Sequence, residues 1–177
     1  MPTIFSHGIF AVLAGKGFLK KPAWFWLTAA VCAMIPDADV VAFRFGVPYE
    51  NMFGHRGFTH SIAFALLLGA AAALLVRFFR PDGYSFSKLF LFFALVTFSH
   101  PFFDMLTDGG LGVALFAPLS AERFFFPWRP IRVSPIGARF FGAEGPNVIL
   151  SEIFLVWLPA AAIFLSAMII RRFRRPN

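Results

Sequence analysis

Apolar residues run along this chain in five blocks, separated by stretches of varied length that carry most of the Pro, Gly and charged residues. The longest runs from Val148 to Ile170. It is interrupted only by Ser151, Glu152, Pro159 and Ser166 and closes on Arg171, Arg172, Arg174 and Arg175. Its 23 residues suffice to cross a bilayer core as one helix. Ile62 to Val76, followed by Phe78 and Phe79, predicts a second span, and Leu89 to about Leu106 a third. A shorter block, Ala23 to Ile35, lies between Lys20-Lys21 and Pro36-Asp37. The opening block, Ile4 to Leu19, is apolar but carries His7, glycines and Lys16. It has neither a basic stretch ahead of it nor a small-residue cleavage site, so it reads as a retained segment. The pattern predicts an all-α, polytopic helical membrane protein of about five membrane segments, with residues 1-177 as a single domain.

Composition strengthens that reading. The chain is 59% hydrophobic, holds 27 Phe and is only 14% charged, and its mean hydropathy is +0.74, too apolar for a soluble domain of this size. The formal charge of +7 does not make it a nucleic-acid binder, because the basic residues cluster at the ends of apolar runs and form no groove-binding face. The single cysteine, Cys32, lies inside an apolar run and reads as a small buried residue.

Charge also sets a topology. If the C-terminal arginines lie in the cytoplasm, five segments put Lys16, Lys20, Lys21, Arg77, Arg80 and Lys88 there too, and Asp82 is the one acid on that side. The same threading brings His7, Asp37, Asp39, His55, His60, His100 and Asp104 to the outer ends of their segments. Every candidate ligand then gathers on one membrane face, towards the periplasm or exterior.

His100 and Asp104 are spaced i, i+4, which on a helix projects both side chains from one face towards a single ion. In HRGFTHS, a glycine between His55 and His60 suits a turn running into a helix. Thr59 and Ser61 read as caps or as partners of His60, with capping favoured. Asp37 and Asp39, in IPDADV after a proline that helps to end its helix, can divide the work, one facing an ion and the other orienting a ligand or water. Ionisable groups at membrane depth are costly and tend to be kept for function. A set of histidines and carboxylates without thiolate suits zinc, manganese or iron, and a metal-activated water with a carboxylate as general base is the chemistry it would serve.

These segments, SHGIF with IPDADV, HRGFTHS, SHPFFDMLTDGG and RFFFPWRPIRVSP, together resemble the YdjM-type family of bacterial inner-membrane, metal-dependent hydrolases, regulated in one branch by the SOS repressor. The resemblance runs from about residue 5 to 157, and HRGFTHS followed by HxxxD is its most specific part. That family is distantly similar to zinc-dependent phospholipase C and related single-strand nucleases. The resemblance implies that His7, Asp37 or Asp39, His55 or His60, His100 and Asp104 bind metal. The chain lacks the N-terminal Trp ligand and the later histidines of a three-metal site, which implies one or two ions, zinc first.

The outer loop, Gly109 to Asn147, places Arg123, Arg129 and Arg132 around Phe124, Phe125, Phe126 and Trp128. Guanidinium forks suit phosphate oxygens, and aromatic residues suit the membrane interface. The sequence reading is therefore a multi-pass protein of a bacterial inner membrane with a cytoplasmic C-terminus, hydrolysing a phosphoester or ester of a lipid-like substrate. Asp37, Asp39 and Glu152 are its candidate acid-base groups, and Arg56, Arg123, Arg129 and Arg132 its candidate anion contacts. Glu152 reads equally as a further ligand or as a carboxylate capping its helix. The rival class is a metal or proton transporter, or a non-catalytic metal-binding membrane protein. Against transport, the cytoplasmic halves of the segments offer almost no polar groups.

Overall fold

A computed structural model describes residues 1–80 and 84–173. Asp82, Arg174 and Arg175, which contribute to the charge asymmetry, lie outside the described residues. The architecture is all-helical, and no β-strand occurs among the described residues. Helix α1 spans Ile4–Phe18 and α2 spans Ala23–Met34. After α2 the chain continues as a 3-10 helix, Ile35–Phe45. Helix α3 covers Ile62–Phe79 and α4 Phe86–Asp104. A final long helix comprises α5, Gly145–Glu152, a π-helical stretch, Ile153–Trp157, and α6, Leu158–Phe173.

Four of these rods, Ala23–Phe45, Ile62–Phe79, Phe86–Asp104 and Gly145–Phe173, are long and apolar enough to cross a membrane. The fifth predicted segment, α1, has 15 residues and falls short of the roughly 20 a full crossing needs. The second rod is longer than the block Ala23 to Ile35 suggested. Pro36 removes a backbone donor at the end of α2, and the chain tightens to 3-10 winding there and does not stop.

Helices α3 and α4 pack against each other, α1 lies against α2 and α6, and α2 lies against α4. Gly69 permits the α3–α4 approach: a Cβ built there would stand 2.7 Å from the Ala94 nitrogen and 2.8 Å from its Cα. Small residues at such crossings let helix backbones come close where no hydrophobic drive exists between them. Phe25, Trp26, Ala29, Cys32, Ala33, Phe93 and Val96 fill the interior beside them. The outside is equally apolar, with Leu67, Leu74, Phe78, Leu165 and Ile169 exposed. In water that surface would drive aggregation; in lipid it is the matching solvent.

The antiparallel run of helices brings the start of α1, the end of α2, the approach to α3 and the end of α4 to one end of the bundle. The segment after α4 covers that end, folded on itself by isolated bridges pairing Thr107 with Ile131 and Val113 with Phe124. It is held to the approach to α3 where the Ala114 amide donates to the Arg56 carbonyl at 2.9 Å and the Ile62 amide to the Leu115 carbonyl at 3.0 Å.

Candidate metal centre

His100 and Asp104 lie one turn apart on the last two turns of α4, and both are fully buried. Asp37 sits on the first turn of the 3-10 helix, 3% exposed. His60 closes a short 3-10 turn, Phe58–His60, just ahead of α3. Ser61 caps α3 by accepting the Phe64 N–H at 3.0 Å. One atom from each of Asp37, His60, His100 and Asp104 meets at a common point.

The separations are those of ligands around one small ion. His60 Nε2 lies 3.1 Å from His100 Nε2, 3.6 Å from Asp37 Oδ1 and 3.4 Å from Asp104 Oδ2. His100 Nε2 lies 3.2 Å from Asp37 Oδ1 and 4.0 Å from Asp104 Oδ2. A tetrahedron with metal bonds of about 2.0–2.1 Å has edges of about 3.3–3.4 Å.

Tautomers sharpen the point. His100 Nδ1 is 2.6 Å from the Ala33 carbonyl, which only accepts, so Nδ1 carries the proton and Nε2 offers a lone pair. Thr59 Oγ1 donates to Asp39 Oδ2 at 2.6 Å, which leaves it to accept from His60 Nδ1 at 3.0 Å. Asp39 Oδ2 also lies 3.1 Å from that nitrogen. Both Nε2 lone pairs therefore face each other and two carboxylate oxygens, and Asp37 and Asp104 have no hydrogen-bond partner on any side-chain oxygen. Four buried electron-pair donors that converge in this way could hold a cation. The residues thus fit a bound divalent ion.

Asp39 stands behind the cluster. Its carboxylate, 3% exposed, accepts from His55 Nδ1 at 2.6 Å and from the Arg56 amide at 3.2 Å while holding Thr59 and His60. Carboxylates that orient a ligating imidazole in this way fix its ring and its tautomer. Asp39, His55 and His60 form a second convergent group, but the short Asp39–His55 contact satisfies both partners within it. Burial alone would push the His60 imidazolium down, yet Asp104, Asp37 and Asp39 outweigh it and raise its pKa well above the ordinary histidine value. A proton is what His60 holds when no metal competes for it.

His7, on the second turn of α1, borders the cluster without joining the four convergent atoms. Its ring stacks on His100 at 3.6 Å between centroids, and Nε2 lies 3.5 Å from Asp104 Oδ1. Neither of its nitrogens is hydrogen-bonded.

The arginines divide. Arg56 is fully buried and adopts a left-handed backbone conformation, φ 59°. Its side chain turns inward: Nη1 donates to the Gly109 carbonyl at 3.0 Å, Nη2 donates to Thr107 Oγ1 at 2.9 Å, and Nε lies 3.2 Å from Asp104 Oδ2. Gly110, at φ 87°, leaves room for it, since a Cβ there would stand 2.8 Å from Nη1. Arg123 spends its guanidinium on backbone carbonyls of the 49–56 stretch, among them Tyr49 at 2.8 Å and His55 at 3.1 Å, and on Gly112 at 3.2 Å. Both residues, expected to meet a substrate anion, instead bind the protein itself. Arg129, stacked over Phe125 at 4.8 Å, is exposed, and so is Arg132, 4.0 Å from Glu144.

Glu152 lies away from the four ligands. It is fully buried at the base of the last helix and accepts from the Thr3 amide, from Thr3 Oγ1 at 2.6 Å and from Ser6 Oγ at 2.6 Å. It pins the start of α1, which carries His7. Thr3, Ser6 and Thr107 carry no sequence signal beyond their hydroxyls, and distant backbone packing alone recruits them.

The profile of the family described as "YdjM inner membrane protein" matches residues 1–174. The chain belongs to the YdjM family. It is 40% identical over 162 residues to the inner membrane protein YbcI of Escherichia coli strain K12, covering 90% of this chain and 92% of that protein. No solved structure matches it. As a YdjM-family protein with four long apolar helices, it is a multi-pass protein of the inner membrane. Its buried Asp/His cluster has the make-up to hold a metal ion.

Proposed function

We propose that this YdjM-family protein is a membrane-bound, metal-dependent hydrolase that cleaves a phosphoester or ester of a lipid-like substrate. The supporting observation is the convergence of His60 Nε2, His100 Nε2, Asp37 Oδ1 and Asp104 Oδ2 without a donor among them. Charge supports a bound cation: Asp37, Asp39 and Asp104 bring three negative charges against the Arg56 guanidinium and the Met1 amino group, and the histidines are neutral as ligands. Histidine nitrogen with carboxylate oxygen at tetrahedral spacing favours zinc, with manganese or iron next.

Bound there, such an ion supplies Lewis acidity to the substrate oxygen and to water. Asp37 is the group placed to take a proton from attacking water, because its Oδ2 has no partner and the residue lines a cleft reaching the surface. Water's oxygen joins phosphorus or the carbonyl carbon, the ester bond breaks, and the proton passes from Asp37 to the leaving oxygen. Arg56 balances Asp104 and holds it in place. Arg129 and Arg132 are the exposed guanidiniums of the covering segment, suited to a substrate phosphate. By the positive-inside tendency the site faces the periplasm. A transport pathway would need polar groups through the rest of the bundle, where Phe25, Ala29, Ala33, Phe93 and Val96 pack instead.

The test is elemental analysis of detergent-purified protein, wild type beside His100→Ala, followed by a screen of lipid phosphoesters and esters. The reading expects about one equivalent of divalent metal, lost in the variant together with turnover. Full turnover in His100→Ala, or wild type free of metal after preparation without chelator, would remove it.

A further inference from the structure

The four-residue cluster is buried, and among the described residues a cleft borders it at Asp37. The cleft has a volume of about 320 Å³ and lies between the start of α1, the 3-10 helix after α2 and the Ser134–Phe141 stretch of the covering segment. Asp37 is among its lining residues, and both of that residue's carboxylate oxygens lack hydrogen-bond partners although it is 3% exposed. The walls are Ile4, Phe5, Val40, Ile136, Phe140 and Phe141. Two of their polar neighbours are engaged, Thr3 with Glu152 and the Ser134 amide with the Met1 carbonyl at 2.8 Å, and the Met1 amino group also lines the cleft. Phe5 and Phe141, 60% and 87% exposed, flank the opening, so the surrounding surface is as apolar as the cleft. A larger cavity of about 560 Å³, lined by Gly15, Lys21, Tyr84 and Lys88 among others, lies at the opposite end of the bundle and touches none of the ligand residues.

We propose that this cleft is a binding site for a single membrane lipid, which enters sideways from the bilayer. Its acyl chain lies along Phe5, Val40 and Phe140, and the polar junction of chain and head group sits at Asp37. Along Ile4, Phe5, Val40, Ile136, Phe140 and Phe141 the walls offer an acyl chain a surface it matches without desolvating anything, and the charged groups of the cleft are those of Asp37 and the Met1 amino group. The lone unpartnered carboxylate at the floor is where a polar junction would stop. The assignment rests on the hydrolase reading only in naming this lipid as substrate; the binding itself does not require turnover.

The test uses the full-length protein reconstituted with phosphatidylethanolamine and phosphatidylglycerol carrying a diazirine in the acyl chain, irradiated and mapped by mass spectrometry. Cross-links concentrated on Phe5, Val40 and Phe140, several-fold above those on the lipid-facing Leu67, are expected. Val40→Trp, or Ile136→Trp from the other wall if the first fails to fold, fills the cleft and should cut those cross-links at least fivefold with metal content unchanged. Cleft cross-linking no higher than at Leu67, or unaffected by both fillings in metal-loaded protein, overturns the proposal. Wild type that cross-links in the cleft yet hydrolyses no lipid keeps the binding site and removes the hydrolase.

Discussion

At the residue scale, the division of labour between Asp37 and Asp39 shows how much a two-residue difference in placement decides. The two carboxylates are two positions apart on a 3-10 helix of three residues per turn, so they leave the helix on different sides. Asp37 faces the two Nε2 atoms, and Asp39 faces the Nδ1 atoms of His55 and His60. Asp39→Asn should therefore weaken metal binding by about 10–100-fold without abolishing it, the usual effect of disturbing a group behind a ligating histidine. Titration of chelator-stripped protein with zinc measures this; loss as complete as in His100→Ala would place Asp39 on the ion. A second outcome follows from the raised pKa of His60. Protonated His60 has no lone pair to give, so a metal must displace its proton, and affinity should climb with pH through neutrality by about tenfold per unit until that pKa is passed. Isothermal titrations in buffers of different ionisation enthalpy would record the proton released; a pH-independent affinity would contradict the assignment.

At the element scale, the site depends on helix ends being held in register. The α3–α4 crossing at Gly69 sets His60, just ahead of α3, against His100 and Asp104 at the end of α4. Gly69→Val forces a side chain onto Ala94 backbone and should cost about 1–3 kcal/mol, read as a lower melting temperature in detergent. Bound metal at temperatures below that transition should fall with it. Glu152 anchors the first helix by accepting from Thr3 and Ser6. Glu152→Ala leaves those buried donors unpaired and should destabilise the protein by about 1–3 kcal/mol while metal stays bound. Abolished turnover at an unchanged melting temperature would instead make Glu152 the base.

At the scale of the whole molecule, one cation would tie together four elements, the 3-10 helix after α2, the turn before α3, α4 and, through stacked His7, α1. Chelation should lower the melting temperature and zinc restore it, since an ion at 100 times its dissociation constant contributes about 2.7 kcal/mol. An unmoved transition would mean the cluster is stable empty. The fold class and the number of apolar segments were legible in the chain because membrane insertion is decided by local apolar length and flanking charge. His100 and Asp104 were legible as a pair because helical spacing puts them on one face. The directions of Arg56 and Arg123 were not, because both side chains answer to carbonyls and carboxylates up to 74 positions away. Nor did any local pattern show that Glu152 would meet Thr3 across 149 positions. The sequence by itself determined which segments are apolar helices and which chemical groups lie at their ends; that α1 is too short to cross and that the second rod continues past Pro36 came from the structure. Only the tertiary structure decided which of those groups face one another, because lone-pair directions and buried partners depend on how helix ends from distant parts of the chain are packed together.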